Sequence, residues 1–278
     1  MTTTRNSIKI LLTAWTICTF VFCGSAFGQA SKTKKERGSA TAKGGYANEN
    51  EIAAKFNNWR VDPEAAVWLR VLGHKAAEVT FVSATKPHGE KADIQVRVRT
   101  TTGEKVEGIS IKLVSGAHGF NQIDKRRLRQ YAEKWKMPSD VEAALRSFTG
   151  EVKPSKPSRN AERMFLNELT AKQQIRVVDF FTVNKAEIVS DLFSGDGEFA
   201  AQWMMLALRS SDEPRWVLRS MDYTIKFFSE GPVEITRQGN LKIGRITMQR
   251  KGGDGGRETA KMLQFKVNPT LLFESVQR

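Results

Sequence analysis

Two stretches in the first half of the chain, "ADIQVRVRT" (residues 92–100) and "GISIKLVS" (residues 108–115), alternate apolar with polar side chains and flank the turn-forming "TTGE". A period of two, repeated on both sides of a short polar break, dictates an antiparallel hairpin with one buried face. Ile94, Val96 and Val98 face the interior with Ile109, Ile111 and Leu113, and Asp93, Gln95, Arg97, Ser110 and Lys112 lie on the other side. A turn centred between Thr102 and Gly103 pairs Asp93 with Lys112 and Gln95 with Ser110, so a carboxylate and an ammonium become neighbours at the open end.

Around the hairpin the patterning is mixed. Ile52, Phe56 and Trp59 recur at helical spacing after Asn48, a candidate cap, and Glu49 falls toward the same buried face. "NQIDKRRLRQYAEKW" reads as a helix with Leu128, Tyr131 and Trp135 on one stripe and a cationic face opposite. Ser139 and Glu142 form a capping-box pattern before a helix that stops at Gly150. "EVKPSKPSR" reads as a linker-like stretch, helices are expected from there to about Leu208, and strands in "RWVLRSM", "PVEITRQ", "LKIGRITMQR" and "MLQFKV". The result is an α/β chain with a sheet core and no internal repeat.

Composition narrows the partners. Lys and Arg number 44 against 30 Asp and Glu, a net charge of +14, which favours a polyanion: nucleic acid first, an anionic membrane surface second. Arg5 and Lys9 precede the apolar "ILLTAWTICTFVFCG" and the small residues of "SAFGQA", the form of a secretory leader and too short for a secure membrane span. Residues 1–30 therefore read as a signal-like leader or an upstream start wrongly chosen, residues 31–45 as a flexible basic arm, and residues 46–278 as the folded domain. Both cysteines, Cys18 and Cys23, lie in the leader, so the body offers no thiol chemistry or disulfide framework. His74, His88 and His118 are too scattered for a zinc spacing, and no Ser/His/Asp pattern or phosphate-binding loop emerges.

The hairpin is the remaining candidate site. Asp93 could hold Mg²⁺ against a phosphate oxygen while Lys112 orients the attacking water and offsets charge at phosphorus; Glu49 could serve the same ion or a second one. The competing reading is a solvated cross-strand ion pair.

The blocks "GSATAKGGYANENEIAAKFNNW", "IKLVSGAHGFNQIDK", "ERMFLNEL", "GDGEFAAQWMM" and "RITMQRKGGDGGRETAKMLQFKVNPTLLF" resemble, in order, the HinP-type restriction endonucleases, which cut GCGC. The resemblance implies a restriction-endonuclease-like α/β fold, a mixed β-sheet core flanked by helices, carrying the nuclease motif PD-(D/E)xK. By position it makes Asp93 the metal-binding acid, Lys112 the terminal lysine and Glu49 the acid of the first helix. Ser110 stands where the general motif has an acid and the HinP-type enzymes a Gln, and the gap from Asp93 to Lys112 is shorter by two residues. Gln95, water or the Ile111 carbonyl would then complete the metal shell.

"QRKGGDGGRETAKMLQFK" falls in the DNA-recognition part of that family. Arg250 and Lys251 carry donors for guanine O6 and N7, and Asp254 an acceptor for cytosine N4. Gln122 and Lys125 are further candidates for bases or phosphates, and Arg126, Arg127 and Arg129 for phosphates. The expected activity is Mg²⁺-dependent cleavage of both strands of double-stranded DNA to 5′-phosphate and 3′-hydroxyl ends, with a protective DNA methyltransferase as functional partner. A homodimer is compatible with it, stable membrane association is not expected, and a cytoplasmic location follows if the leader is a wrong start. An inactive DNA-binding relative and an exported nuclease of low specificity are the alternatives.

Overall fold

The period-two alternation of the hairpin is realised in β2 (Ile94–Thr100) and β3 (Glu104–Val114), paired antiparallel with Ile94, Val96, Val98, Ile109 and Ile111 buried. The register differs from the expected one. Ile94 lies opposite Ile109, Gln95 opposite Gly108 and Arg99 opposite Glu104, so Asp93 falls level with Ser110 rather than Lys112. The turn itself is the cause. Thr100 N donates to Gly103 O at 2.7 Å, the Thr100 hydroxyl accepts from Thr102 N, and Arg97 and Arg99 both bond Glu104, which closes the loop earlier. The displacement is even, so every side chain keeps its face.

The computed structural model describes residues 34–114, 119–209, 215–253 and 257–275, with the backbone alone for 34–42 and Glu274. Residues 40–278 form one compact unit, in which everything below lies; of the other, residues 1–39, the described part is the backbone of 34–39. The leader and both cysteines fall outside the described residues, among which no helix is long and apolar enough to cross a membrane.

β1 (Val79–Thr85) extends the hairpin beyond β2, β5 (Trp203–Leu208) runs parallel to β3, and β6 (Arg215–Ser220) closes the sheet antiparallel, giving the order β1-β2-β3-β5-β6. β5 is buried on both faces, as its unbroken apolar sequence requires. Residues 201–208 were expected to be helical; the apolar run "WMMLAL" is a central strand instead, because it needs partners on both sides rather than one stripe. On one face of this sheet α1 (Lys34–Asn57) and α2 (Pro63–Val71) bury Ile52, Phe56, Trp68 and Leu69 against Val96, Ile111 and Met205. Asp62 caps α2 by accepting from Glu64 N and Ala65 N, with Pro63 at the first helical position. α1 occupies most of the stretch expected as a flexible arm. Asn48 is therefore an interior residue, buried on the same stripe as Ile52, and not a cap.

A second sheet, β4 (Asn121–Arg126), β10 (Leu263–Val267), β9 (Ile246–Arg250), β8 (Leu241–Ile243) and β7 (Val233–Ile235), is antiparallel throughout in that order. Its inner face, including Leu241, Met248, Leu263 and Phe265, shares a core with α3 (Leu128–Lys134), α4 (Ser139–Thr149), α5 (Ala171–Val183), α6 (Lys185–Phe193), α7 (Met221–Ser229) and the opposite face of the first sheet. Residues 121–126, expected as part of a helix, form a strand, and only Leu128 onward is helical. Ser139 is the first residue of α4, and Pro138 takes the cap position without a side-chain bond, so the expected capping box is not formed. Gly150 does end α4, at φ 81.

Gly108 fixes the spacing of β3 and β5. Its N–H donates to Gln202 Oε1, its carbonyl accepts from Gln202 N, and a Cβ there would meet Ala200 O at 2.5 Å. Gly108→Ala is expected to lower stability by about 1–3 kcal/mol, read as a reduced urea midpoint. An unchanged midpoint would show that the two strands can part.

Candidate active site

At the open end of the hairpin, Asp93 Oδ2 accepts from Ile111 N at 2.5 Å and from Ser110 Oγ at 3.2 Å. Lys112 Nζ donates to Ser110 Oγ at 3.2 Å and to the Ile111 carbonyl at 3.1 Å, and stands 3.6 Å from Asp93 Oδ2. The even register shift makes Ser110, not Lys112, the direct neighbour of Asp93, and the length of the lysine chain closes the remaining gap. One carboxylate, one hydroxyl and one carbonyl thus surround an ammonium on a shielded polar edge, with the Asp93 and Lys112 side chains 25% and 16% exposed. A solvated ion pair would need none of this hydroxyl and carbonyl bonding.

Such an all-oxygen donor set suits a hard divalent cation that keeps several waters. Asp93 and the Ile111 carbonyl are the two strong donors, and Ser110 is within reach of both Asp93 and Lys112. Gln95 is turned aside, donating to Glu198 O. Glu49 is not drawn into the cluster: its carboxylate pairs with Lys86 at 2.8 Å, and among the described residues no ion pair joins it to Lys112. Among those residues no group of three or more His, Cys, Asp or Glu gathers in metal-binding form.

Two residues before Asp93, Lys91 leaves the hairpin and enters the second sheet. Its ammonium bonds Asp124 Oδ2 at 2.5 Å, Leu192 O at 2.6 Å and Ile123 O at 3.2 Å. Asp124 also accepts from Tyr131 Oη and Arg126, while Asp191 accepts from Arg126, Lys134 and Trp135 Nε1. Burial holds the Lys91 ammonium below the usual lysine range despite Asp124, and it raises the Tyr131 phenol. Burial also pushes Asp191 upward, but bonds from Arg126, Lys134 and Trp135 outweigh it and keep the carboxyl below its ordinary value. Arg126, expected from the sequence as a phosphate donor, is engaged here by Asp124 and Asp191. Its guanidinium turns inward between two carboxylates.

The other expected DNA residues separate. Gln122 is exposed and Lys125 half-buried on β4, and Arg127 is exposed at the start of α3. Arg250 Nε is bonded to Thr149 O at 2.7 Å, which ties the end of β9 to the end of α4. Lys251 N and Gly252 N donate to Met262 O and Ala260 O, so the glycine-rich block begins as a backbone ladder; Asp254 lies outside the described residues. Sequence reasoning missed Gln264. Its amide donates to Gln122 Oε1 at 2.6 Å and accepts from Gln249 Nε2 at 3.4 Å, linking β4, β10 and β9 on the polar face of the second sheet. Alternation in "MLQFKV" carried the signal, since Gln264 and Lys266 oppose Leu263, Phe265 and Val267.

The family model described as R.HinP1I restriction endonuclease matches residues 72–273, a span that holds Asp93, Ser110, Lys112 and the whole second sheet. The chain belongs to that family. Membership in the R.HinP1I family makes it a type II site-specific deoxyribonuclease with a restriction-endonuclease fold. Among solved structures, restriction endonuclease MspI in complex with its cognate DNA is similar at a TM-score of 0.59 and 13% identity, over 84% of this chain and 93% of that one. No curated protein sequence matches. Glu49 lies outside the matched span.

Arg126→Gln is expected to destabilise by about 3 kcal/mol, because it leaves Asp124 and Asp191 short of a partner in a buried setting. Chemical denaturation checks this. A stable variant with weakened DNA binding would instead return Arg126 to the surface role.

Proposed function

We propose that the chain is a Mg²⁺-dependent endonuclease that cuts both strands of GCGC, hydrolysing the phosphodiester to 5′-phosphate and 3′-hydroxyl ends. The observation carrying this reading is the Asp93, Ser110, Ile111 and Lys112 cluster on one strand end. Asp93 and the Ile111 carbonyl would hold the ion, which supplies positive charge beside the phosphate oxygen. The Lys112 ammonium orients the attacking water and offsets charge gathering on phosphorus as the 3′ oxygen departs. Ser110 positions both groups through its two hydrogen bonds and leaves most of the remaining metal shell to water. Glu49 is at most an outer contributor, reached through a rearrangement of Lys86.

The polar face of the second sheet supports base reading. Gln122 and Lys125 on β4 and Gln264 on β10 offer donors and acceptors in one row, and Lys125 carries the donor suited to guanine O6 and N7. Arg250, Lys251 and Asp254 carry donors and an acceptor suited to G·C pairs, and Arg127 binds phosphate. A homodimer would bring a second catalytic centre to the other strand, and a methyltransferase acting on the same site protects the host. The enzyme works in the cytoplasm.

Asp93→Asn and Lys112→Ala are each expected to abolish plasmid cleavage in Mg²⁺ while duplex binding in Ca²⁺ persists. Cleavage at the parent rate by either variant would remove the cluster from catalysis. Gln122→Ala and Lys125→Ala are expected to cost roughly 1–3 kcal/mol on GCGC duplexes and much less on single-base variants. Equal losses on every duplex, measured by equilibrium titration, would move base reading elsewhere.

A further inference from the structure

Beyond the row of polar side chains, the second sheet ends in a basic cavity. Where β4 runs into α3 and a short 3-10 turn (Glu258–Lys261) runs into β10, the chain encloses an open space of about 330 Å³ lined by Arg127, Arg129, Arg146, Glu151, Glu258 and Lys261. Four cations face two carboxylates there. Glu258 is taken by Lys261 at 2.9 Å, and Glu151 stands 3.5 Å from Arg146, while Arg129 is bonded to Glu133 on its own helix. Among the described residues Arg127 has no ion pair. The cations converge from three elements: the first turn of α3, the last turns of α4 and the turn before β10. Like charges held together by separate elements repel one another, and only part of that repulsion is balanced by the two acids. Burial holds the Glu151 carboxyl above the usual glutamate range.

We infer that this cavity binds a DNA backbone phosphate flanking the recognition sequence. The inference rests on the nuclease reading above and deepens it by assigning Arg146 and Lys261, with Arg127, to the sugar-phosphate chain. The position supports that ligand. The cavity lies beside the end of β4 and the start of β10, the two strands that carry Gln122, Lys125 and Gln264, which sets it next to the row proposed to read bases. Arg146 and Lys261 are far apart in sequence and meet in this cavity. A phosphodiester brings one negative charge and two free oxygens, enough to accept from a guanidinium and an ammonium together. The two glutamates limit the grip, and their removal should tighten it.

The test uses the full chain with Ca²⁺ in place of Mg²⁺, titrating a GCGC duplex and a scrambled duplex across a series of salt concentrations. Arg146→Gln combined with Lys261→Gln should make the plot of log affinity against log salt shallower by about one, for the single phosphate contact they share. Both duplexes should weaken by the same factor. Glu258→Gln should move the other way and strengthen binding to both. Circular dichroism melts of each variant confirm that a folded protein is compared. An unchanged salt slope in the double variant overturns the inference. So does a loss confined to the GCGC duplex, which would make these residues base readers. If the slope is unchanged and the double variant instead loses a stabilisation by inorganic phosphate seen in the parent's melting temperature, the cavity is a small-anion site and the DNA assignment fails. A parent that neither binds nor cuts any duplex overturns the nuclease reading itself, and this assignment with it.

Discussion

The position of the hairpin that carries Asp93 and Lys112 relative to the second sheet depends on one partly buried ionic network. Lys91 reaches from the entry of β2 to Asp124 on β4, and Arg126, Asp191 and Lys134 extend the chain of charges to α6 and α3. Ion pairs of this kind are weak sources of net stability, because removing the charges from water costs nearly what their attraction returns. Their value lies in geometry. A hydrophobic contact tolerates sliding, whereas an ammonium held by one carboxylate and two carbonyls has one position. Asp93 follows Lys91 by two residues, so the strand end that carries the Asp93 cluster is located by contacts to β4, the strand that carries Gln122 and Lys125.

Much of the first sheet was legible in the sequence. Alternation in residues 92–115 gave the hairpin and its buried face, and because the register shift was even, the polar set of Asp93, Ser110 and Lys112 survived it. What the sequence could not provide was the turn. Whether Thr100 or Thr101 opens the loop is decided by a threonine hydroxyl and by Glu104 meeting two arginines, interactions with no periodicity. Similar limits applied to "WMMLAL", where a short apolar run fits a buried strand and a buried helix equally until its neighbours are known.

The candidate DNA residues were legible mainly through charge, and charge alone does not say which way each side chain turns. Arg126 and Arg127 are adjacent and chemically identical, yet β4 turns one toward Asp124 and Asp191 and leaves the other at the mouth of a cavity. Nothing local to "DKRR" separates them, because Asp191 lies far along the chain. Glu49 shows the same limit at the active site. Its helical spacing placed it near the buried face, but Lys86, on the loop between β1 and β2, is the partner that holds it.

The hydrogen-bonded glutamines of the second sheet have an entropic consequence. A free glutamine side chain loses on the order of 1.5–2 kcal/mol of rotamer freedom when it is fixed. Gln264, bonded on one side to Gln122 and on the other to Gln249, has lost much of that freedom on folding. On the proposed reading of this row, docking against a duplex would freeze little that was moving, and one amide could not turn away from a mismatched base without breaking the bonds of its neighbours. The row behaves as a single stiff element, intolerant of small differences in the shape opposite it.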